Sequence, residues 1–312
     1  MPVADYIYRV LRNEKDVTDK YVKVDEYSSV FAYIGIAAFN TATSSAAWKI
    51  GRVFRQGNTY TIEYASGGNY DQIWDNRVTV FPSGALANVY SINFDGVNDK
   101  VDFGNNYTFE HSQAFSISLW VKPNNLAATR NLFSKASDDA NVYGYNLRHD
   151  ITTGALFLQM RTPSSLRQHT FTTALTAGVW QHVVLTYSGG SNINGARVYR
   201  NAVIGDTPAS GALSGTFSNT ASFVLGARNS TFNFSGRMDE ISVWNKELSQ
   251  AEVDEIYNLG QPNDLSIHTA YVDTLSWWRA DDDVHPTILD HKGSINGTMT
   301  NQTSADIVAD VP

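Results

Sequence analysis

A chain of 312 residues, 42% hydrophobic and 17% charged, is long enough for two domains and too apolar for a disordered polymer. Its net charge of −8 argues against a phosphate-backbone ligand, which needs clustered Lys and Arg. The absence of cysteine excludes disulfides, thiolate metal sites and cysteine nucleophiles.

Residues 1–27 are charged and suit an arm or a first strand that needs a partner surface. They show no apolar core of the kind a secretory signal carries. The longest apolar stretch, residues 30–39, is half the length a spanning helix needs, so no membrane insertion is expected.

From residue 28 the pattern becomes that of a small β-module. SVFAYIGIAAF, AAWKIGRVFR, TYTIEYA and RVTVFP are the strand candidates. Tyr60, Ile62 and Tyr64 alternate with Thr61, Glu63 and Ala65, as a half-buried strand requires. Gly57-Asn58 and the Ser-Gly-Gly-Asn run at 66–69 supply turn chemistry. Four short strands make a marginal core, so this module is expected to pack on a further domain or subunit. Pro82-Ser83-Gly84 is the expected linker, and residues 1–84 form the first region.

Residues 85–262 hold many five- to nine-residue strands separated by Gly, Asn, Ser and Pro clusters, the arrangement of a sandwich. In FSISLWV, Phe115, Ile117 and Leu119 point one way and Ser116, Ser118 and Trp120 the other. Trp120, Trp180 and Trp244 sit inside such strands and are expected to fill the core. Two periods meet between residues 234 and 260. Met238, Ile241 and Val243 mark a strand, and Ser249 with Glu252 then has capping-box spacing. Val253, Ile256 and Tyr257 follow at helical spacing, and Gly260 stands where a left-handed C-cap belongs.

Residues 263–312 form a tail whose large apolar residues include Leu275, Trp277, Trp278, Ile288, Leu289 and Met299. Adjacent tryptophans on a strand face opposite ways, so each needs its own surface. The tail is therefore expected to dock as added strands, on its own domain or on a neighbouring subunit.

Catalytic signatures are missing. No E-x-D-x-x-E strand places carboxylates about one sugar, and Glu252-Val253-Asp254-Glu255 lies in the capped helix. The seven histidines are dispersed, with no H-E-x-x-H pair. There is no G-x-S-x-G elbow, although a spatial Ser-His-Asp triad leaves no mark in sequence. No catalytic residue is assigned, and the chain is expected not to be an enzyme.

GRMDEISVWNKELSQAEVDEIY resembles the closing strand and short helix of the concanavalin A-like, laminin G-like jelly roll. SINFDGVNDKVDFG, FSISLWVKP and WQHVVLTYS resemble its entry hairpin and two of its central strands, in the same order. The resemblance implies an all-β chain: a small N-terminal β-module, then a two-sheet antiparallel jelly-roll sandwich with one short helix. In the tail, LSWWRADDDVHPTILDHKGSINGTMTN looks like the start of a second such domain, cut off before it could be completed. Residues 46–81, with W-K-I-x-R and W-D-N-R, resemble a module of tailed-phage virion proteins, and the tail resembles the C-terminal end of such proteins.

These resemblances imply a non-enzymatic virion protein at the virion surface, in capsid, tail or fibre. Its partners would be other virion proteins, a host-surface glycan and further copies of itself, a trimer by analogy with phage fibres, with no nucleic acid. A free bacterial lectin and a glycan depolymerase are the alternatives. For glycan recognition the fold implies rim loops or a concave face. Here Asn141, Tyr143 and Tyr145, with Asn229, Phe232, Asn233 and Phe234, offer rings and amides. The resemblance also implies a structural calcium ion (Ca2+) held by Asp95 and Asp239, with Asp99 and Asp102 near in sequence.

Overall fold

The computed structural model describes residues 89–136, 143–228, 232–280 and 285–312, and the backbone of five strands between residues 20 and 73. The chain divides into two compact units, Met1–Ala87 and Asn88–Pro312. In the first, β1 (Lys20–Ser28), β2 (Phe31–Ala38), β3 (Ala46–Gln56) and β4 (Thr59–Tyr64) form an antiparallel meander, with β5 (Gln72–Ile73) also on β3. The expected strand RVTVFP, both turns and the linker lie outside the described residues.

The second unit is a jelly-roll sandwich of two antiparallel sheets with one short α-helix among the described residues. Its strands in chain order are β6 (Ser91–Asp95), β7 (Lys100–Asp102), β8 (Phe115–Pro123), β9 (Arg130–Ala136), β10 (Gly144–His149) and β11 (Ala155–Arg161). Next come β12 (Leu166–Ala174), β13 (Gln181–Tyr187), β14 (Ala196–Arg200), β15 (Val203–Ile204), β16 (Val224–Leu225) and β17 (Ser235–Trp244). Helix α1 (Gln250–Tyr257) precedes β18 (Thr274–Trp278), β19 (Thr287–Ile288), β20 (Gly297–Thr300) and β21 (Ile307–Val308). One sheet has the order β12-β11-β10-β9-β16-β7-β20-β19. The other runs β15-β14-β13-β8-β17-β6-β21, with β18 beside the second half of β17.

Between the sheets lies one core of Phe, Leu, Ile, Val and Tyr side chains. Phe115, Ile117, Leu119 and Val121 enter it from β8, as the alternation requires. A second apolar layer lies outside the β8–β17 sheet, where Val253 and Ile256 of α1 pack with Val184, Trp244 and Trp277. Trp120 and Trp244 are buried, but on this outer side: Trp244 belongs to the second layer, and Trp120 stacks on Tyr257 with centroids 5.9 Å apart. Trp180 departs from the expected core role. It is half-buried, and its Nε1 donates to Asp310 at 3.0 Å.

The skipped phase between Met238 and Ile241 is a bulge. The β17–β8 register shifts between Asp239 and Ser242, and Glu240 takes φ +49°, which returns Ile241 and Val243 to the core face. Both bonds of the Ser249–Glu252 capping box form. The helix end differs from expectation. Asn258, at φ +44°, is the left-handed cap, two residues before Gly260, because Asn tolerates that region almost as well as Gly.

The tail adds strands to both sheets of its own unit rather than beginning a second domain. β20 pairs with β7, β18 with β17, and β21 with β6. Trp278 enters the core against Phe103, with centroids 4.2 Å apart, while Trp277 faces the helical layer. Asp290 anchors the turn between them and β20. Its carboxylate accepts from Ser276 Oγ at 2.6 Å and from the backbone amides of Trp277, Lys292, Gly293 and Ile295. Glu240, on the bulge, pairs with Arg279 at 3.0 Å and accepts from Trp277 Nε1 at 2.7 Å.

Candidate functional site

The outer face of the β12–β19 sheet carries the polar residues that the core leaves over. Alternation sends Tyr145, Leu147, Leu156, Leu158 and Met160 inward. It sends Asn146, Arg148, Phe157, Gln159 and Arg161 outward. Cross-strand register then lines up one row: Asp102, Val224, Ser134, Asn146, Gln159 and Gln168 are consecutive partners on β7, β16, β9, β10, β11 and β12. At about 4.8 Å per strand the row is roughly 24 Å long, a span suited to an oligosaccharide rather than a single sugar. A bulge at Leu147/Arg148 places Asn131 opposite Arg148 in the adjoining row, with Phe157 as its partner on the other side.

The chemistry of this face is unusual for a sheet surface. Asn131, Ser134 and Asn146 are at most 1% exposed, yet both amide atoms of each Asn and the Ser134 hydroxyl have no hydrogen-bond partner. Arg148 Nε is also unpartnered and buried. An unsatisfied buried polar group costs about 1–3 kcal/mol, so such a cluster on one face calls for a ligand or another explanation. Gln159 and Gln168 pair with each other at 3.1 Å. Phe157 offers a half-buried ring, with the Arg148 guanidinium 4.0 Å from its centroid. Burial pulls the Arg148 pKa below the ordinary arginine value, Asp150 opposes this and Arg228 adds to it. The group nevertheless remains charged. Beside the row lies a small depression of about 80 Å³ lined by Lys100, Asp102, Ala136, Ala221, Ser222 and Val224.

The residues expected from sequence divide into four groups. Tyr143 and Phe232 border this face. Tyr143 is half-buried with the Arg161 guanidinium 5.9 Å from its ring, and Phe232 lies 5.4 Å from the Arg148 guanidinium and 4.8 Å from that of Arg228. Tyr145 and Phe234 do not reach the surface. Tyr145 is in phase with Leu147, is buried, and donates to the Tyr107 carbonyl at 2.7 Å. Burial pushes its phenol pKa well above the ordinary value. Phe234 packs edge-on against Phe94 in the core. Asn233 points elsewhere, its amide donating to the Val97 carbonyl. Asn141 and Asn229 lie outside the described residues. Sequence reasoning missed Asn131, Ser134, Asn146, Arg148 and Phe157. The signal was there in YNLRH and ALFLQMR, where the polar phase of each strand carries amides, an arginine and one aromatic.

The two aspartates of the expected calcium site do not come together. Asp95 is opposite Ser235 in the β6–β17 register, whereas Asp239 stands four residues further along β17, opposite Trp120. That is about 13 Å at strand rise, too far for one ion. Asp95 caps its own turn by accepting from Val97 and Asn98, and Asp239 is buried. Asp99 accepts from the Asp95 amide, and Asp102 is on the outer face. Among the described residues no cluster of three acidic or histidine side chains could hold a metal.

Ser118 and His182 have the spacing of a nucleophile and base, at 2.7 Å. Both are fully buried, His182 lies stacked against Tyr257, and its Nδ1 has no acceptor to orient it. Burial drives the imidazole pKa to about 3, so it stays neutral. The pair is part of the packing beneath α1.

The model of the concanavalin A-like lectin/glucanases superfamily, in its Laminin_G_3 form, matches residues 95–254, just over half of the chain. The chain belongs to this family. No curated protein matches it. Among solved structures, a candidate carbohydrate-binding protein from Bacteroides ovatus ATCC 8483 is similar over 99% of this chain and 87% of its own, at 15% identity and TM-score 0.50. A heptameric pentraxin from Limulus polyphemus is similar over 68% of this chain and 95% of its own, at 16% identity and TM-score 0.41. A carbohydrate-binding module of a Ruminococcus gnavus sialidase, solved with α2,3-sialyllactose, is similar over 54% of this chain and 96% of its own, at 12% identity and TM-score 0.40. At these identities the likeness concerns the fold alone.

Proposed function

We propose that the jelly roll is a non-catalytic carbohydrate-binding domain that holds an oligosaccharide on the outer face of the β12–β19 sheet. The observation that carries this reading is the set of buried, unpartnered side chains of Asn131, Ser134 and Asn146 beside the half-exposed ring of Phe157. Amides and hydroxyls suit sugar hydroxyls as donors and acceptors, and an aromatic face suits the apolar face of a sugar ring. Membership of a family of lectins and glucanases agrees with it. The finer setting is a tailed-phage virion surface, with residues 1–84 attaching or trimerising the chain. That setting rests on the resemblance of residues 46–81 and of the tail to virion proteins.

A glycan array followed by calorimetry tests the domain function. Asn146→Ala or Phe157→Ala should weaken binding of the best saccharide by roughly five- to 150-fold, since each removes about 1–3 kcal/mol of contact. A parallel reducing-sugar assay should stay flat. Release of sugar ends would support the depolymerase instead. Antibody-labelled micrographs of virions distinguish a virion protein from a free lectin.

A further inference from the structure

The chain as a whole is acidic, at −8, yet the described residues of the outer face concentrate arginine. Arg148, Arg161 and Arg228 lie on it or at its border, the first two on the outward phase of β10 and β11. Two of them, Arg148 and Arg228, share one ring, that of Phe232. The two like charges repel, and Arg228 helps to lower the Arg148 pKa. Among the described residues, no acidic group forms an ion pair with Arg148. Asp150, two residues on, acts on it only through space. Asp102, at the far end of the row, pairs with Lys100 at 3.7 Å and caps the Gly104 amide. Arg148 makes no hydrogen bond or ion pair to a described residue, and the rings of Phe157 and Phe232 flank its guanidinium. Its cross-strand neighbour is Asn131, whose two amide atoms are also unpartnered.

We infer that the saccharide held on this face is acidic, with its carboxylate or sulfate meeting Arg148 and its hydroxyls meeting Asn131 and Asn146. A guanidinium held against Phe157 is already oriented, so little freedom is lost when it takes an acid group with two parallel hydrogen bonds. A neutral sugar would leave that half-buried charge unanswered. The inference rests on the reading of this face as a glycan site and adds the charge of the ligand.

The test uses the whole chain and matched pairs on an array and in calorimetry: α2,3-sialyllactose against lactose, trigalacturonate against its methyl ester, and 3′-sulfated lactose against lactose. The acidic member of at least one pair should bind tenfold or more tightly than its neutral partner, and that advantage should shrink as salt is raised. The pair that responds tells carboxylate from sulfate. Arg148→Gln should bring the acidic member down to the affinity of the neutral one while neutral binding persists. Arg148→Lys, which keeps the charge but loses the planar fork, should retain part of the preference. Should neither variant fold, the salt dependence of the unaltered chain still decides. Binding confined to neutral saccharides, or equal for both members of every pair, overturns the inference and leaves the glycan site standing. Binding of no saccharide on the array, acidic or neutral, removes the site and the inference together.

Discussion

Asp310 shows how one side chain near the chain end can hold a strand in place. Its carboxylate accepts from Lys122 Nζ at 2.9 Å, from Trp180 Nε1 at 3.0 Å and from Arg237, while its carbonyl accepts from Ser91 at 2.6 Å. These contacts reach three strands and tie β21 beside β6. Burial would raise the Asp310 pKa, but the hydrogen bonds from Lys122 and Trp180 and the charge of Arg237 outweigh it and hold the carboxyl below the ordinary aspartate range. A carboxyl depressed in the folded state stabilises the fold at every pH above its unfolded value, near 3.9. That stabilisation is lost as pH falls from there through the lower folded value. Asp310→Asn should therefore melt below the unaltered chain by about 2–4 °C at neutral pH, for a loss of about 1 kcal/mol. The gap should hold down to about pH 4 and close below it. Thermal melts of both chains from pH 7 to pH 2 check this, and a gap that does not narrow in acid would remove the ionised carboxylate as its cause.

Strands and the helix were more legible in the sequence than the surface they present. Capping residues and a strict period of two fix where β8, β17 and α1 lie, because a slip of one residue would turn the whole apolar set toward water. Met238, Ile241 and Val243 marked the strand, but only the structure shows the break in phase between the first two, which Glu240 absorbs as a bulge. The site was less legible for the opposite reason. Aromatic and amide residues in the segments just before β10 and β17 suggested rim loops, yet Tyr145 and Phe234 continue the inward phase of the neighbouring strands and are spent on the core. The outer row depends on register across six strands, which no local pattern encodes. The tail illustrates a further limit. Its Ser-Trp-Trp run reads as the start of something new, whereas β18 to β21 fill places left open beside β17, β7 and β6. Ending the chain at Gly260 would strip Trp278, Ile288 and Met299 from the core and Leu265 and Trp277 from the helical layer. Each large core side chain is worth roughly 2–5 kcal/mol against a total stability of about 5–15. The shortened chain should thus lose its cooperative melting transition and aggregate. A soluble product with unchanged melting would show β18 to β21 to be dispensable.

At the scale of the whole molecule, the two units pose different problems. The jelly roll closes on itself. Ile307 pairs with Ile92, so the last strand of the unit lies beside its first, and one core gathers residues from Tyr90 to Ile307. The first unit is a meander whose outer strands β1 and β4 have, among the described residues, no partner on their far sides. Unpaired strand edges invite pairing with another chain, which agrees with placing subunit contacts in residues 1–84. Residues 88–312 produced by themselves should then fold, melt in one transition and bind the same saccharide with the affinity of the full chain. They should sediment as a monomer even where the full chain sediments as an oligomer. Sedimentation of both chains at micromolar concentration, with calorimetry on the shorter one, decides among the outcomes. An oligomeric 88–312 would move the contacts onto the jelly roll. A folded 88–312 that no longer binds would mean that the first unit completes the site.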